Sequence, residues 1–389
     1  MYQNFVLVSR KSGAMQRRFT ITQPILAAAI VATIFCSCYK PTPFVLPQQP
    51  YQFPDISVIS KFLGTANAKI AFALTNNGSS NIYYVDFNDS APVPIMLIRP
   101  TGYPSANADK PMISPDGTFV AYGLLQSNTV DGAYIQKLGT TAEPVLVAAK
   151  GTRPHWYKDS AGLLYIIYST AFFIQTPTMP APGFAVTYKQ QVSLAGSGSR
   201  VGSAVQIAPY PMIGGLSSDG NYLCSGYEAG CFYNLPDSTL IPINQGVQIC
   251  NPSIDPDSET TDQMMFLNFN SVQNLNNPYS SDPAYPANSQ GVLPMHSVLF
   301  IVDASNTVIN FIPISIMANY GTYSAWQCPQ WSNNPNFAAA LAASNDESSS
   351  WDLVLIKNVG SRGKEIPLIM TIGSGKMNTE STPDLWIGN

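Results

Sequence analysis

A short pattern recurs along most of this chain of 389 residues, and it constrains the fold more than any other feature. Its clearest copy is KPMISPDGTFVAYG over residues 110–123, followed by DGAYIQKL over residues 131–138. Proline presets φ at the first central position of a tight turn and glycine tolerates positive φ, so residues 115–117 (PDG) predict a turn. The alternation of residues 119–122 predicts a strand directly after it.

Degenerate copies of this pattern follow along the chain, which is typical of a repeat architecture. They lie at residues 154–162, 213–220, 252–257 and 329–335, and each leads into an apolar strand. The two chain ends supply a sixth copy. Residues 69–87 match the second and third strands of the repeat, and residues 381–386 match only the first strand. Joined, the ends complete one unit and close a ring, which protects the sheet edges.

The copy at residues 110–138 resembles the WD40-like (PD40) repeat of the TolB propeller family, P-x-W-S-P-D-G-x-x-I-A-Y followed by a second strand. The resemblance implies an all-β fold, a six-bladed β-propeller of four-stranded antiparallel blades over residues 57–389. A C-terminal strand would join the first blade. Blades of roughly 55 residues exceed the usual size, and long loops would absorb the excess. Because only the copy at residues 110–138 matches strongly, seven blades stay open. The resemblance also implies protein–protein contacts in the bacterial envelope.

The N-terminus is typical of an export signal. Basic residues precede a short apolar run over residues 25–35, too short to span a membrane comfortably. The run leads to Cys38, which follows the small Ser37 as in a bacterial lipobox, although Phe35 replaces the usual leucine. We therefore predict a signal peptide over residues 1–37, a lipid on Cys38 and a proline-rich tether over residues 38–56. Simple secretion and a retained anchor are the alternatives.

Charge limits the partners. The pI is near 5.2 and only 11% of residues are charged, so the chain lacks the basic footprint of a nucleic-acid-binding protein. Without residues 1–37 the formal charge is −8, so the body itself does not attract anionic lipid headgroups. We expect attachment to the envelope membrane through the lipid, on its periplasmic side or at the cell surface, and a protein or glycan as partner.

Four cysteines remain in the body of the chain, and an even number in an exported protein favours disulfides. Cys224 and Cys231 lie on consecutive predicted strands, which suggests a cross-strand bridge. Cys250 and Cys328 each stand just before a repeat proline in neighbouring blades, which suggests an inter-blade bridge. A zinc site is less favoured because the spacings are long.

Signals for catalysis are weak. The two histidines, His155 and His296, have no recognisable catalytic partner in the sequence, and no G-x-S-x-G elbow or P-loop occurs. The sequence indicates no cofactor and favours a binding module over an enzyme.

One short segment of the chain is rich in acidic residues: Asp255, Asp257, Glu259 and Asp262. Their carboxylates could offer oxygen ligands to Ca²⁺. Because they match no EF-hand loop, a solvated acidic turn is the favoured interpretation. Aspartates recur at the repeat turn at positions 116, 219 and 257, where they are expected to accept backbone N–H groups.

Aromatic residues supply the candidate recognition surface. Trp156, Trp331 and Trp386 are placed at one position of the repeat, which favours packing between blades. Other aromatics lie in loops or at predicted hairpin tips, and we predict a recognition surface from Tyr320, Tyr323, Trp351, Tyr279 and Tyr285. The leading hypothesis is a membrane-anchored protein-binding or scaffolding propeller. The alternative is a carbohydrate-binding or carbohydrate-active propeller that uses channel-lining acids and loop aromatics.

Overall fold

The structure is a computed structural model. It describes residues 55–76, 79–103, 106–126, 129–170, 185–226, 230–243, 248–257, 262–269, 275–286, 293–344, 351–360, 367–375 and 381–388. The predicted signal peptide, Cys38 and the tether up to residue 54 lie outside these residues. Among the described residues, no helix is both long and apolar enough to cross a membrane.

The described chain contains one α-helix, α1 (Ile56–Leu63), and 23 strands. The first eleven strands are β1 (Ala68–Asn76), β2 (Ser79–Asp86), β3 (Ile95–Met96), β4 (Asn107–Ile113), β5 (Phe119–Gln126), β6 (Thr129–Lys137), β7 (Val145–Ala148), β8 (Thr152–Lys158), β9 (Leu164–Ser169), β10 (Thr187–Ser193) and β11 (Ser199–Ala208). The others are β12 (Tyr222–Ser225), β13 (Cys231–Asn234), β14 (Thr239–Pro242), β15 (Ile249–Ile254), β16 (Gln263–Asn268), β17 (Val298–Asp303), β18 (Val308–Pro313), β19 (Tyr323–Trp331), β20 (Phe337–Ser344), β21 (Trp351–Lys357), β22 (Leu368–Gly375) and β23 (Asp384–Ile387).

These strands form six antiparallel sheets, the blades of a propeller, so the predicted fold class and blade number are confirmed. Blade 1 has the order β23-β1-β2-β3, and blades 2, 3, 5 and 6 are β4–β7, β8–β11, β15–β18 and β19–β22. Blade 4 has three strands, β12–β14, and a single bridge from Leu216 to Leu223 at the innermost position. There Gly215 has φ 96°, a left-handed conformation that interrupts a regular strand.

The hydrophobic core consists of six layers, one between each pair of neighbouring blades. One position of the repeat contributes a side chain to every layer. It is the second residue after the inner-strand proline or its equivalent, and its side chain packs towards the preceding blade. The six residues at this position are Ile113, Trp156, Leu216, Ile254, Trp331 and Leu385. The predicted packing role of Trp156 and Trp331 is therefore confirmed. The placement of Trp386 with them was wrong, because it stands one residue later and packs towards blade 2.

Four inner strands carry the same β-bulge. Lys110, Arg153, Asn251 and Cys328 all have φ between 48° and 52°, and the register of each strand shifts at this point. A proline follows each of them. Because proline cannot donate to a β-ladder, it is tolerated inside a sheet at a bulge, where pairing is already interrupted.

In blades 2 and 4 the turn of the repeat is built as the sequence predicts, whereas in blade 5 a different aspartate from the predicted Asp257 accepts. In blade 2, Asp116 accepts the Ser114 hydroxyl at 2.5 Å and the Thr118 backbone N–H at 3.1 Å. Blade 4 repeats this arrangement with Asp219, Ser217 and Asn221. In blade 5 the acceptor is Asp255, whose carboxylate receives the backbone N–H of Asp257 at 2.9 Å.

The chain ends meet in blade 1, as predicted. Strand β23 pairs with β1 from Ala68–Ile387 to Ala71–Asp384, and the Gly388 N–H donates to the Asn67 carbonyl at 2.7 Å. Helix α1 precedes this ladder and was not predicted, since its residues were assigned to the end of the tether and the start of the propeller. Asp55 caps it by accepting the Ser57 N–H at 2.9 Å.

The cysteine predictions need one correction. Cys231 pairs directly with Ser225, so the neighbouring Cys224 points to the opposite face of the blade. Cys224 lies in the layer towards blade 5 and Cys231 in the layer towards blade 3. A Cys224–Cys231 disulfide is therefore wrong for this fold. All four cysteines are thiols in the structure, including Cys250 and Cys328, whose pairing stays a prediction.

Candidate binding site at the channel mouth

A cavity of about 230 Å³ opens where the inner strands end, on the face that carries the repeat turns. Five blades contribute the residue that follows the bulge proline or its equivalent: Met112, His155, Gly215, Gln330 and Asp384. The apolar residue at the next position lines the cavity in blades 2 to 6. The mouth thus forms from equivalent positions of the repeat that are far apart in sequence.

Three indoles stand in the wall of this cavity: Trp156, Trp331 and Trp386. The indole N–H of each donates to a backbone carbonyl, of Met112 at 2.8 Å, Pro335 at 3.1 Å and Pro115 at 3.0 Å respectively. Since these donors are already used, the indoles can offer a ligand only ring surface, mainly from the half-buried Trp156, because Trp331 and Trp386 are 2% and 7% exposed. The hydrogen bonds also fix the rings, so this surface is formed before a ligand arrives.

His155 lies at the floor with its Nε2 3.0 Å from the carbonyl oxygen of Ile213 in the next blade. A carbonyl only accepts, so Nε2 carries the proton. Burial lowers the pKa of His155 to about 4, against the opposing effect of this hydrogen bond. The imidazole is therefore neutral near pH 7 and links blade 3 to blade 4.

Asp384 is the one carboxylate among the described residues that line this cavity. It is 4% exposed and accepts the backbone N–H of Ile113 in blade 2 at 2.7 Å. Burial raises the pKa of Asp384 to about 7, although the hydrogen bond from Ile113 opposes the shift. Near pH 7 Asp384 is therefore only partly ionised and His155 is neutral. Lys110 and Arg153 lie behind them.

The pKa of Asp384 predicts a pH effect on stability. The folded chain keeps a proton that the unfolded chain releases near pH 4, so the free energy of unfolding should fall as pH rises from about 4 to 7. Asp384→Asn keeps an acceptor for Ile113 and removes the titration. The free energy of unfolding of the variant minus that of wild type should therefore be roughly 3 kcal/mol more favourable at pH 8 than at pH 4, as measured by urea unfolding. Parallel pH profiles for the two proteins would contradict this assignment.

The channel narrows behind the mouth. A space of about 10 Å³ lies there, enough for about one water molecule. It is surrounded by residues from five blades: Lys110, Arg153, Asn251, Gln330 and Thr382. The Lys110 N–H donates to the Ser381 hydroxyl at 2.9 Å, which joins blade 2 to the segment before β23.

The predicted recognition surface lies elsewhere. Tyr323 begins β19, whereas Trp331 at the end of the same strand lines the mouth, so Tyr323 is at the opposite face of the ring. Its hydroxyl donates to Asp352, and the neighbouring Trp351 is half-buried against the core. Tyr320 is exposed, with its hydroxyl bonded to the Ile369 carbonyl. The residues that line the mouth were therefore not among the predicted recognition residues.

The long insertion after β16 covers the outer edge of blade 5. Tyr279 donates its hydroxyl to the Ile309 carbonyl of β18 at 3.0 Å, and its ring packs 5.7 Å from Phe311. The ring of Tyr285 lies 5.3 Å from the same Phe311. Both tyrosines are committed to packing. Among the candidate Ca²⁺ ligands, Glu259 lies outside the described residues, and no metal-binding group of three or more His, Cys, Asp or Glu occurs within them.

Charge is unevenly distributed around the ring. Residues 201–356, which form blades 4 and 5 and most of blade 6, contain twelve acidic residues and no lysine or arginine. Residues 132–200, mostly in blade 3, contain six basic and two acidic residues. Asp219, Asp237 and Asp303 lie in turns on the face of the mouth. A partner at the mouth therefore meets an acidic sector beside a basic one.

Fold and cavity together define a six-bladed propeller with a formed pocket at one end of its channel. Among solved structures it is similar to TolB from Acinetobacter baumannii, with 12% identity and a TM-score of 0.48 over 85% of this chain and 70% of TolB. Apo AztD from Citrobacter koseri has 9% identity and a TM-score of 0.34 over 82% of this chain and 97% of AztD.

Puromycin hydrolase is a further similar structure, with 12% identity and a TM-score of 0.40 over 77% of this chain. The chain spans only 43% of that enzyme. No family model and no curated protein matches the chain. With such identities and TM-scores, these similarities say nothing about what the chain binds.

Proposed function

We propose that this chain is a lipid-anchored propeller of the bacterial envelope that binds a partner protein at the mouth of its channel. The preformed cavity walled by three fixed indoles carries the proposal. Apolar pockets with a few convergent polar groups are where proteins hold ligands and anchor residues of partners. The export signal and Cys38 in the sequence support the location.

The chemistry of the mouth favours binding over hydrolysis. A glycosidase needs two carboxyl groups about 5–9.5 Å apart, and Asp384 stands alone among the described lining residues. His155 is held by Ile213 and is neutral. The cavity suits a largely apolar side chain inserted by the partner, because three indole rings stand in its wall.

The acidic sector of blades 4 and 5 indicates the charge that a partner needs there. Blades 4 and 5 lie beside the cavity and have no basic residue to neutralise their aspartates. We infer that the partner is basic on the side that faces blades 4 and 5. Glycan binding is the second candidate, favoured by the combination of aromatic rings with the amide of Gln330 in the wall.

Site-specific photocrosslinking in living cells tests the proposal. A benzophenone amino acid is placed at Lys158 or Pro256, which line the mouth, and at Tyr320 on the opposite face as the matched control. We expect a discrete protein adduct from both mouth positions and none from Tyr320. The yield should fall in high salt because the contact is electrostatically assisted.

Two outcomes would overturn the proposal. Adducts at Tyr320 alone would move the site to the surface that the aromatic pattern first suggested. Adducts that glycan-degrading enzymes remove would establish the glycan alternative in place of the protein partner.

A further inference from the structure

Lys110 and Cys328 meet inside the channel. The Lys110 Nζ lies 3.9 Å from the Cys328 Sγ, and both side chains are at most 5% exposed. Lys110 belongs to blade 2 and Cys328 to blade 6, so the contact reaches across the innermost strand of blade 1. The two residues occupy the same left-handed bulge position of their strands, which directs both towards the axis.

A second thiol stands on the neighbouring blade. Cys250 lies on β15, the inner strand of blade 5, and packs against the layer between blades 5 and 6. The inner strands of these blades are joined directly, since the Trp331 N–H donates to the Ser253 hydroxyl at 3.1 Å. Burial raises the pKa of Cys250 to about 12, and Cys328 adds to the shift, as expected of two neighbouring thiols.

The environments of these two thiols differ in the way that oxidation chemistry requires. A lysine ammonium beside a thiol stabilises the thiolate, which is the nucleophile, and Cys328 has such a neighbour. Cys250 packs mainly against apolar side chains, and burial keeps its pKa near 12 although the charge of Arg153 opposes the shift, so it stays a thiol. Cys224 and Cys231 are buried on opposite faces of blade 4 and cannot pair with each other.

We propose that Cys328 and Cys250 form a peroxide-responsive disulfide that staples blade 6 to blade 5, with Lys110 as the positioning residue that activates Cys328. The Cys328 thiolate attacks hydrogen peroxide, takes one oxygen to give a sulfenic acid, and releases hydroxide, which is protonated to water. The Cys250 sulfur then attacks the sulfenic sulfur, and the S–S bond forms as a second water leaves. Two thiols lose two electrons and the peroxide gains them.

The narrow part of the channel limits the oxidant. Its space of about 10 Å³ is lined by Lys110 and by Asn251, the residue after Cys250. Neither thiol lines this void and Cys328 is fully buried, so oxidation needs an oxidant close to water in size, and a bulky disulfide such as oxidised glutathione is too large. The proposal is independent of what binds at the mouth.

The test uses the mature chain beginning at Cys38, purified in detergent and fully reduced. After a brief exposure to dilute peroxide, free thiols are blocked with a maleimide and the chain is mapped by mass spectrometry. We expect one cross-linked peptide pair containing Cys250 and Cys328, about 2 Da lighter than the reduced pair. Oxidised glutathione at the same concentration should react at least about tenfold more slowly.

Variants of Lys110 test whether its charge activates the Cys328 thiol or whether the two thiols react only because they are close together. Lys110→Gln should slow the oxidation about tenfold, and Lys110→Arg, which keeps the charge, should restore most of the rate. Lys150→Gln is the matched control, since Lys150 is also a left-handed lysine but is exposed. The oxidised wild type should melt several degrees above the reduced protein, and Cys250→Ser should lose this difference.

Four free thiols after peroxide treatment would overturn the proposal, as would a cross-link that involves Cys224 or Cys231. Equal oxidation rates for Lys110→Gln and Lys150→Gln would overturn the role of Lys110. The rate ratio is read on variants whose far-UV circular dichroism matches wild type. The arginine variant keeps the lysine role testable if Lys110→Gln does not fold.

Discussion

Deleting residues 381–389 is expected to cost about 5 kcal/mol or more of folding free energy, comparable with the whole stability of a typical domain. The deletion removes β23 and leaves the edge of β1 unpaired. Leu385, Trp386 and Ile387 are each at most 7% exposed, and a fully buried apolar side chain contributes about 1.5–3 kcal/mol. The shortened chain should lose its cooperative urea transition or expose a surface that aggregates.

The loss is large because β23 holds three blades together. Its ladder belongs to blade 1, and Asn333 of blade 6 makes two hydrogen bonds to Ile387, one to the backbone carbonyl and one from the N–H. On the other side, Asp384 and the Trp386 indole bond to the backbone of blade 2. A synthetic peptide of residues 381–389, added to the shortened chain, should restore part of the transition. An unchanged melting curve for the shortened chain would contradict closure by this strand.

Gly117→Ala should be the most damaging alanine substitution in the repeat turns. Gly117 has φ 72°, and a Cβ there would lie 2.5 Å from the Trp386 ring, too close for any real contact. Left-handed backbone costs a non-glycine residue about 1–2 kcal/mol, and displacing a buried indole adds to it. We expect a loss of about 3–4 kcal/mol in urea unfolding.

Gly162→Ala is the matched control. Gly162 donates its N–H in the same way within the turn of blade 3 and has φ 81°, but a Cβ there would meet only the Lys158 side chain at 3.9 Å. It should cost only the backbone strain, about 1–2 kcal/mol. Equal losses for the two variants would mean that Trp386 does not pack on the turn of blade 2.

The sequence was informative where the structure is local. The turn of blade 2 needs only Ser114, Asp116 and Gly117 in order, and blade 4 repeats the arrangement. Closure could also be predicted, because residues 381–386 supply the strand that residues 69–87 lack. The number of blades followed from counting these units.

The predictions were wrong at residues whose role depends on the direction of the side chain. Cys224 and Cys231 are close in sequence, yet direct pairing of Cys231 with Ser225 sends them to opposite faces. The bulges shift the register of four inner strands, so a position counted from the proline does not by itself give a face. Tyr279 and Tyr285 looked like loop aromatics, but their loop folds back over the edge of blade 5.

The residues that line the mouth could not be predicted from any single segment of the sequence. Its lining comes from strands that include β4, β8, β19 and β23, and it exists only once these strands converge on one axis. Its one sequence signal was the recurrence of tryptophan close to the repeat proline. That signal was interpreted as packing, which is correct for Trp156 and Trp331, but the same rings also wall the cavity.

Amide hydrogen exchange of the strand pair β1–β23 tests the central claim, a single ring closed by its two chain ends, most directly. In a closed ring the amides of residues 69, 71, 384 and 386, which bond across this ladder, exchange only when the whole propeller unfolds, so their protection should equal that of the buried strand β16. Exchange of residues 384 and 386 within seconds under native conditions, with β16 still protected, would contradict the closed ring.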